Sequence, residues 1–303
     1  MKSLIEQYGI AIFTLVLMAI LIVFAEPIGK IIKSATNTQV TNIDHIGTRE
    51  IEKETTDVSD FVYACLYNNG NLVIASHEIT DKTNVMTDYG KFNMHSTWQF
   101  PWTGNYKTPN TTVKTVTIKD VLKLTDCSAL FLNCIELEQI NNIENLDTSK
   151  CKRMVDMFWG CKKLKSLDVS NFDTSKVTDM HGMFSDLNSI TYLNVNGFDT
   201  KNTTNMNYMF YGCKNLKNLN LSIFDTRNVS SMKMMFYNCE NLMSLDLSTF
   251  NTLNVTDMTQ MFNNTPQLTT IIVGSNWTTT RAEQNSKTTD MFKNCGTDHV
   301  TQQ

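Results

Sequence analysis

Charge of one sign is scarce in this 303-residue chain. Its 26 basic and 30 acidic residues are dispersed, and the formal net charge is only -4. A nucleic-acid-binding surface needs lysine and arginine concentrated in a patch or stripe, and no such stripe is present. Nucleic acid is therefore excluded as an expected partner.

Catalytic motifs are also missing. The sequence has no H-E-x-x-H, no G-x-S-x-G, no phosphate loop and no C-x-x-C pair. Its five histidines are scattered. His181 occupies a variable position that holds Asn207, Lys233 and Thr259 in related segments, which predicts a solvated surface residue. We therefore expect no enzyme activity, no metal and no cofactor.

The sequence has only one long apolar run without a charged residue. It spans residues 9–25 and reads GIAIFTLVLMAILIVFA. A length of 17 residues is at the short end for a membrane-spanning helix and slightly long for a secretory signal. This favours a single-pass membrane anchor with the rest of the chain outside the cell. Cleavage after Ala25 would instead give a secreted protein. Neither a lipid-modification cysteine nor a sortase-type motif offers another anchor.

What the chain does contain is a repeat with a period of about 26 residues, beginning near Cys127. Its clearest copy is LKSLDVSNFDTSKVTDMHGMF, residues 164–184. Each copy carries a Met-Phe pair, at Met157-Phe158, Met183-Phe184, Met209-Phe210, Met235-Phe236 and Met261-Phe262. A fixed period of this length predicts a solenoid, because in-phase apolar residues must stack between coils to be buried. The expected fold is a β-rich, leucine-rich-repeat-like solenoid with a parallel sheet along one side and short helical or 3₁₀ turns.

These residues resemble the BspA-type leucine-rich repeat surface proteins, whose units of about 26 residues carry the signature L-D-(V/L)-S-x-F-(D/N)-T-x-x-V-T-x-M-x-x-M-F. The resemblance covers about residues 58–296. It implies surface exposure and adhesion, and it carries no catalytic motif. Several positions depart from the signature: Cys151 and Thr203 replace the valine, Leu187 and Thr265 replace a cysteine, Trp277 replaces the phenylalanine, and about four extra residues precede Met291.

Four segments are predicted along the chain: the membrane segment or signal (1–25), a polar stalk (26–57), an N-terminal β cap (58–126) and the repeat solenoid (127–303). The cap contains Asn69-Gly70 between two apolar runs, which indicates a β-hairpin. Its role would be to cover the strand edge of the first coil. Trp98 and Trp102 are expected to pack against that coil, with stacking on a sugar as the alternative.

The eight cysteines permit disulfides or free thiols. Five of them, Cys134, Cys161, Cys213, Cys239 and Cys295, occupy one repeat position that also accepts Leu187. This favours buried free thiols over a disulfide network, although a bridge between Cys213 and Cys239 on adjacent coils is conceivable.

Two further ladders are open to structural or metal-binding interpretations. Methionine pairs such as Met180 and Met183 are expected to fill the turn beside phenylalanine rather than to bind a metal. A column of acidic and amide residues, each followed by threonine, comprises Asp147, Asp173, Asp199, Asp225 and Asn251. Asx turns explain this column better than calcium binding, because no D-x-D cluster accompanies it.

Strand alternation places one set of side chains on the solvent face of the sheet, and this face is the candidate partner-binding surface. Its residues are Ser166, Asp168, Tyr192, Asn194, Asn218, Asn220, Ser244 and Asp246. Tyr192 is the expected contact residue, since exposed aromatic side chains often anchor recognition. The predicted function is adhesion to a protein or glycan on another cell or on matrix. The alternative is an architectural component of the cell surface that self-associates.

Overall fold

A computed structural model describes residues 61–93 and 100–303. The predicted membrane segment, the stalk and Trp98 lie outside these residues. Within the two described ranges, no helix has the length and apolar character that crossing a membrane requires.

Three antiparallel strands begin the described chain: β1 (Phe61–Tyr67), β2 (Asn71–Ala75) and β3 (Val85–Asn93). The hairpin between β1 and β2 turns at Gly70, whose φ of 83° is left-handed and favours glycine. The β2 strand then pairs in parallel with β4 (Thr115–Ile118), so the sheet order is β3-β1-β2-β4 followed by the next coil. The predicted hairpin is confirmed, and β2 covers the strand edge of β4.

The rest of the chain winds into coils whose short strands pair in parallel. After β4 come β5 (Leu122–Lys123), β6 (Gln139–Asn141), β7 (Leu146–Asp147), β8 (Ser166–Asp168), β9 (Tyr192–Asn194), β10 (Ser244–Leu247), β11 (Thr270–Val273) and β12 (Thr301–Gln302). A 3₁₀ turn spans Ile143–Asn145, and a short helix, α1, spans Thr280–Gln284. Leu167 pairs with Leu193, and Leu245 pairs with Ile271. Equivalent residues therefore stack, and the predicted solenoid is confirmed.

A column of stacked phenylalanine rings forms the core. Phe158, Phe184, Phe210 and Phe236 are fully buried, and successive ring centroids lie 5.7–5.9 Å apart. The paired methionines beside them, such as Met206 and Met209, are also buried. One continuous apolar cluster extends from Val62 to Met291, so β1 to β4 share their core with the coils.

Each Met-Phe pair lies between two residues in the left-handed backbone region. The first set is Ala129, Asp156, Gly182, Tyr208, Met234, Gln260 and Asp290, and the second is Asn133, Gly160, Asp186, Gly212, Asn238, Asn264 and Asn294. Their φ values lie between 52° and 76°. This geometry aims alternate N–H groups of one turn at the carbonyls of the next coil, as in the bond from Phe184 N to Met209 O at 3.0 Å. Asn and Asp tolerate the region better than other non-glycine residues, which explains their abundance there.

Buried threonines join the coils at a second corner. Thr174 Oγ1 donates a hydrogen bond to Asp199 O at 3.0 Å and accepts one from Asp199 N at 2.8 Å. Its hydroxyl therefore satisfies both backbone groups of the next coil. The donation recurs at Thr148, Thr200, Thr226 and Thr252. This role explains the threonine after each residue of the acidic column.

The cysteines follow the prediction with one correction. Cys134, Cys161, Cys213 and Cys239 are buried free thiols, and Cys295 is half-buried and free, so the Cys213–Cys239 bridge is wrong. Burial raises the pKa of the Cys239 thiol to about 12. Cys127 and Cys151, however, form a disulfide between the first two coils. Within the repeat, Cys151 is at the position usually held by valine, and Cys127 is at the position of the first methionine. Stacking of the two coils brings these two repeat positions together.

The extra residues before Met291 are accommodated by α1, which lies between β11 and the last Met-Phe turn. Trp277, at the phenylalanine position of this coil, is only partly buried, and its ring centroid lies 6.5 Å from that of Phe262. The terminal coil therefore keeps its register through an added helical turn.

Removal of one ring from the column should destabilise the fold strongly. We expect Phe210→Ala to lower the free energy of unfolding by about 3 to 5 kcal/mol, because it leaves a cavity between Phe184 and Phe236. The exposed Lys165→Ala should change it by less than about 0.5 kcal/mol. Chemical denaturation measures both, and similar midpoints for the two variants would contradict this packing.

A glycine pair separates backbone strain from steric contact. Gly212→Ala and Gly90→Ala both force alanine into a left-handed backbone, at about 1 to 2 kcal/mol each. A Cβ at Gly212 would also clash with Asp186 Oδ1, whereas a Cβ at Gly90 would have no neighbour within 4 Å. We expect the loss of thermal stability to be larger for Gly212→Ala. An equal loss in the two variants would show that the contact with Asp186 is not retained.

Candidate functional site

The structure places the predicted strand-face residues in adjacent rows. Ser166 pairs with Tyr192, and Asp168 pairs with Asn194. Ser244 and Asp246 lie on β10, exposed. Asn218 and Asn220 are exposed at the equivalent positions of the coil between β9 and β10, where no strand is formed. The strand face thus exists as a continuous polar surface.

Half of the strand-face side chains hydrogen-bond to the backbone. Asp168, Asn194, Asn220 and Asp246 each accept a bond from the backbone N–H two residues later, at 2.9–3.1 Å. Hydrogen bonds from the Ser170 hydroxyl and N–H lower the pKa of Asp168. These four residues therefore form Asx turns at the end of the strand segment, and their oxygens are only partly available to a partner.

The strand face has one exposed aromatic side chain, and an apolar residue at a different repeat position is also exposed. Tyr192 is 55% exposed, and Met243 is 47% exposed one position earlier in the repeat, two coils further on. Single exposed apolar residues are common on protein surfaces, but an exposed aromatic ring on a rigid surface is a frequent anchor of recognition. Tyr192 therefore remains the main candidate on this face.

The acidic column forms Asx turns as predicted. Asp173 accepts a hydrogen bond from Ser175 N at 3.0 Å, and Asn251 accepts one from Leu253 N at 3.1 Å. The same bond occurs at Asp147, Asp199 and Asp225. Among the described residues, no group of three His, Cys, Asp or Glu side chains could hold a metal ion.

A second candidate site lies along the Met-Phe turns and was not predicted. It is a groove of about 220 Å³, which we call the turn groove, lined by Tyr106, Lys107, Pro109, Asn133, Ile135, Trp159, Gly160, Lys162 and Asp186. Tyr106 is 64% exposed, and its ring centroid lies 4.9 Å from that of Trp159. Two aromatic rings therefore form one wall.

The loop that carries Tyr106 is held in place by hydrogen bonds. Asn105 Oδ1 accepts bonds from Lys107 N at 2.9 Å and Thr108 N at 2.8 Å. Asn133 Nδ2 donates to Asn105 O at 2.7 Å. The Tyr106 hydroxyl donates to Asp156, a buried carboxylate whose pKa burial raises. The exposed ring is thus fixed rather than free to rotate away.

Asp186 supplies a carboxylate to the turn groove. No side chain or backbone group in the described part of the chain donates a hydrogen bond to it, and it lies close to the backbone of Gly212. Burial raises its pKa, while the charges of Lys162 and Lys214 act in the opposite direction. A half-buried carboxylate without a donor among the described residues loses part of its solvation, and this disfavours its charged form.

Aromatic side chains continue along the same turns beyond the groove. The Tyr211 and Tyr237 rings stack at 5.0 Å, and Tyr208 lies 5.8 Å from Tyr211. His181 is half-buried with its ring 5.1 Å from that of Tyr208. His181, predicted as a solvated surface residue, is therefore at the surface but partly covered.

The cap tryptophan that the structure describes is a packing residue. Trp102 is fully buried, stacks on Phe100 at 5.1 Å and donates from Nε1 to Leu130 O at 3.1 Å. Its predicted packing against the first coil is confirmed, and its sugar-stacking alternative is wrong.

The position of Asp186 gives a stability test. Because its folded-state pKa is raised, its charge opposes folding at neutral pH and the effect vanishes at acidic pH, where the group is protonated in both states. We expect Asp186→Asn to raise the unfolding temperature at pH 7 and to match wild type at acidic pH.

The matched control has the opposite sign. The Ser175 hydroxyl and N–H lower the pKa of Asp173, so its charge stabilises the fold at neutral pH. Asp173→Asn should lower the unfolding temperature at pH 7, with the loss fading as the pH falls. Equal effects of the two substitutions would contradict the burial of Asp186.

Comparisons with known proteins give a family and one solved structure. The family described as "Mycoplasma protein of unknown function, DUF285" matches residues 103–192 and 182–302. No curated protein matches the chain. A crystal structure of a leucine-rich repeat protein from Bacteroides ovatus is 18% identical over 74% of this chain and 72% of that chain, with a TM-score of 0.23. At that score the likeness supports no argument, and the assignment of the fold rests on the coils described above.

Proposed function

The chain belongs to the DUF285 family, and we propose that it is a cell-surface protein that presents the strand face to a protein or glycan on another cell or on matrix. The observation that carries the binding proposal is Tyr192, exposed on a rigid face otherwise covered by small polar residues. The proposal assigns no catalytic role.

The disulfide supports a location outside the cytoplasm. Cys127 and Cys151 are bonded, and such bonds persist mainly in oxidising compartments. The apolar run at residues 9–25 would supply a single-pass membrane anchor, or a signal if the chain is cleaved after Ala25. Residues 26–57 would then hold the coils away from the membrane as a stalk.

The predicted N-terminal cap, residues 58–126, would serve the same proposal. Its strand β4 pairs in parallel with β6 of the first coil and so covers that strand edge. Unpaired edges are templates for aggregation, so this arrangement suits a solenoid displayed in solvent.

Self-association is the second candidate function, and the exposure of Tyr192 favours it. A second copy placed on the strand face would cover this ring. In that case the protein would be an architectural component of a surface layer or cell contact. Concentration-dependent assembly in size-exclusion chromatography would support this role.

The test uses cells that express the full chain and measures their attachment to immobilised cells or matrix. Protease added to intact cells should remove a C-terminal epitope, which verifies surface display. The variant Tyr192→Ala/Asn194→Ala/Asn218→Ala should reduce attachment at least about tenfold, since hot-spot residues each contribute roughly 2 kcal/mol or more. Ser230→Ala, on a different part of the coil, is the control.

The outcomes separate the parts of the proposal. An epitope that resists protease until the cells are lysed would refute surface display. Intact display with unchanged attachment of the triple variant would exclude the strand face as the contact surface.

A further inference from the structure

The turn groove combines features that the fold does not require. Position 186 lies in a column of left-handed residues that is filled by glycine at Gly160 and Gly212 and by asparagine at Asn238. Any of these residues would hold the turn without a charge. The carboxylate at position 186 is therefore not required by the turn, and it lines the groove.

The aromatic wall is similarly unexplained by packing. Tyr106 lies over Trp159 but leaves most of its own surface in solvent. Three hydrogen-bonded contacts hold it there: the Asx turn at Asn105, the bond from Asn133, and its own bond to Asp156. An exposed ring that is fixed in advance loses little conformational entropy when a ligand stacks on it.

The charges of the groove select a class of ligand. Asp186 and the nearby Asp156 oppose an anionic ligand, while Lys162 and Lys107 oppose a cationic one. A neutral ligand must then satisfy an acceptor-only carboxylate and donor-only ammonium groups while it stacks on aromatic rings. A sugar ring meets all three conditions, because its hydroxyls both donate and accept and its C–H face is apolar.

We propose that the turn groove is a carbohydrate-binding site that takes one neutral sugar ring, stacked on Tyr106 and Trp159 and hydrogen-bonded to Asp186 and Lys162. The volume of about 220 Å³ is below the roughly 300 to 1,000 Å³ of sites for drug-sized ligands, and it suits a single terminal ring. The site is formed by turns rather than by strands, so it does not depend on the proposed role of the strand face.

The experiment titrates the full chain, held in lipid nanodiscs, with N-acetylglucosamine, methyl β-galactoside and methyl α-mannoside. Nanodiscs are used because glucoside and maltoside detergents would compete. Isothermal titration calorimetry and saturation-transfer NMR measure binding. We expect saturable binding of at least one sugar, reduced at least about tenfold by Asp186→Asn and by Trp159→Ala.

Two control variants locate the effect. Tyr237→Ala removes an aromatic ring of the same row outside the groove, and Tyr192→Ala alters the strand face; both should bind sugar as wild type does. Asn is already present at this repeat position, so Asp186→Asn is expected to fold even if Trp159→Ala does not. Binding of none of the sugars, or equal binding by all folded variants, would overturn the proposal. If the Tyr192→Ala variant still binds sugar, the sugar site is distinct from the strand face.

Discussion

Backbone hydrogen bonds between successive Met-Phe turns hold each coil to the next, and the other regular features depend on their register. Phe158 N donates to Met183 O, and Phe184 N donates to Met209 O, both at 3.0 Å. The turn has a left-handed residue on each side of the Met-Phe pair, and this backbone geometry directs alternate N–H groups at the carbonyls of the next coil. The same register superimposes the phenylalanine rings and brings each buried threonine under the next coil.

Features that repeat could be predicted from the sequence, because a constraint applied to every coil leaves a periodic mark. The period, the buried methionines, the thiol column and the Asx turns all follow from it. Features that join two different repeat positions could not be predicted from the sequence. The disulfide joins Cys127 to Cys151, which occupy unlike positions in the repeat. The turn groove joins Tyr106, which precedes the first coil, to Asp186 three coils later. The left-handed backbone was also missed, since residues as different as Ala129, Met234 and Gln260 adopt it.

The two candidate surfaces differ in how much of their chemistry the fold already uses. On the strand face, Asp168 and its equivalents hold the bend after the strand, so their repetition reflects structure. The coil does not require the side chain at the position of Tyr192, so this position is free to vary. In the turn groove, the fold uses Asn105 and Asn133 to position the loop, whereas no group in residues 61–93 or 100–303 donates a hydrogen bond to the Asp186 carboxylate. Function is therefore best sought where one coil departs from its neighbours.

Stacking through nearest neighbours also fixes how the protein bears mechanical load. The bonds between coils run along the solenoid axis, so tension along that axis acts on the coil interfaces in series, and the weakest interface opens first. Each released coil of 26 residues would add roughly 90 Å of extended chain. The Cys127–Cys151 disulfide removes the enclosed residues from this extension. The covalent link closes the coil that precedes Phe158, so this coil contributes little length even after its interfaces with the neighbouring coils have opened.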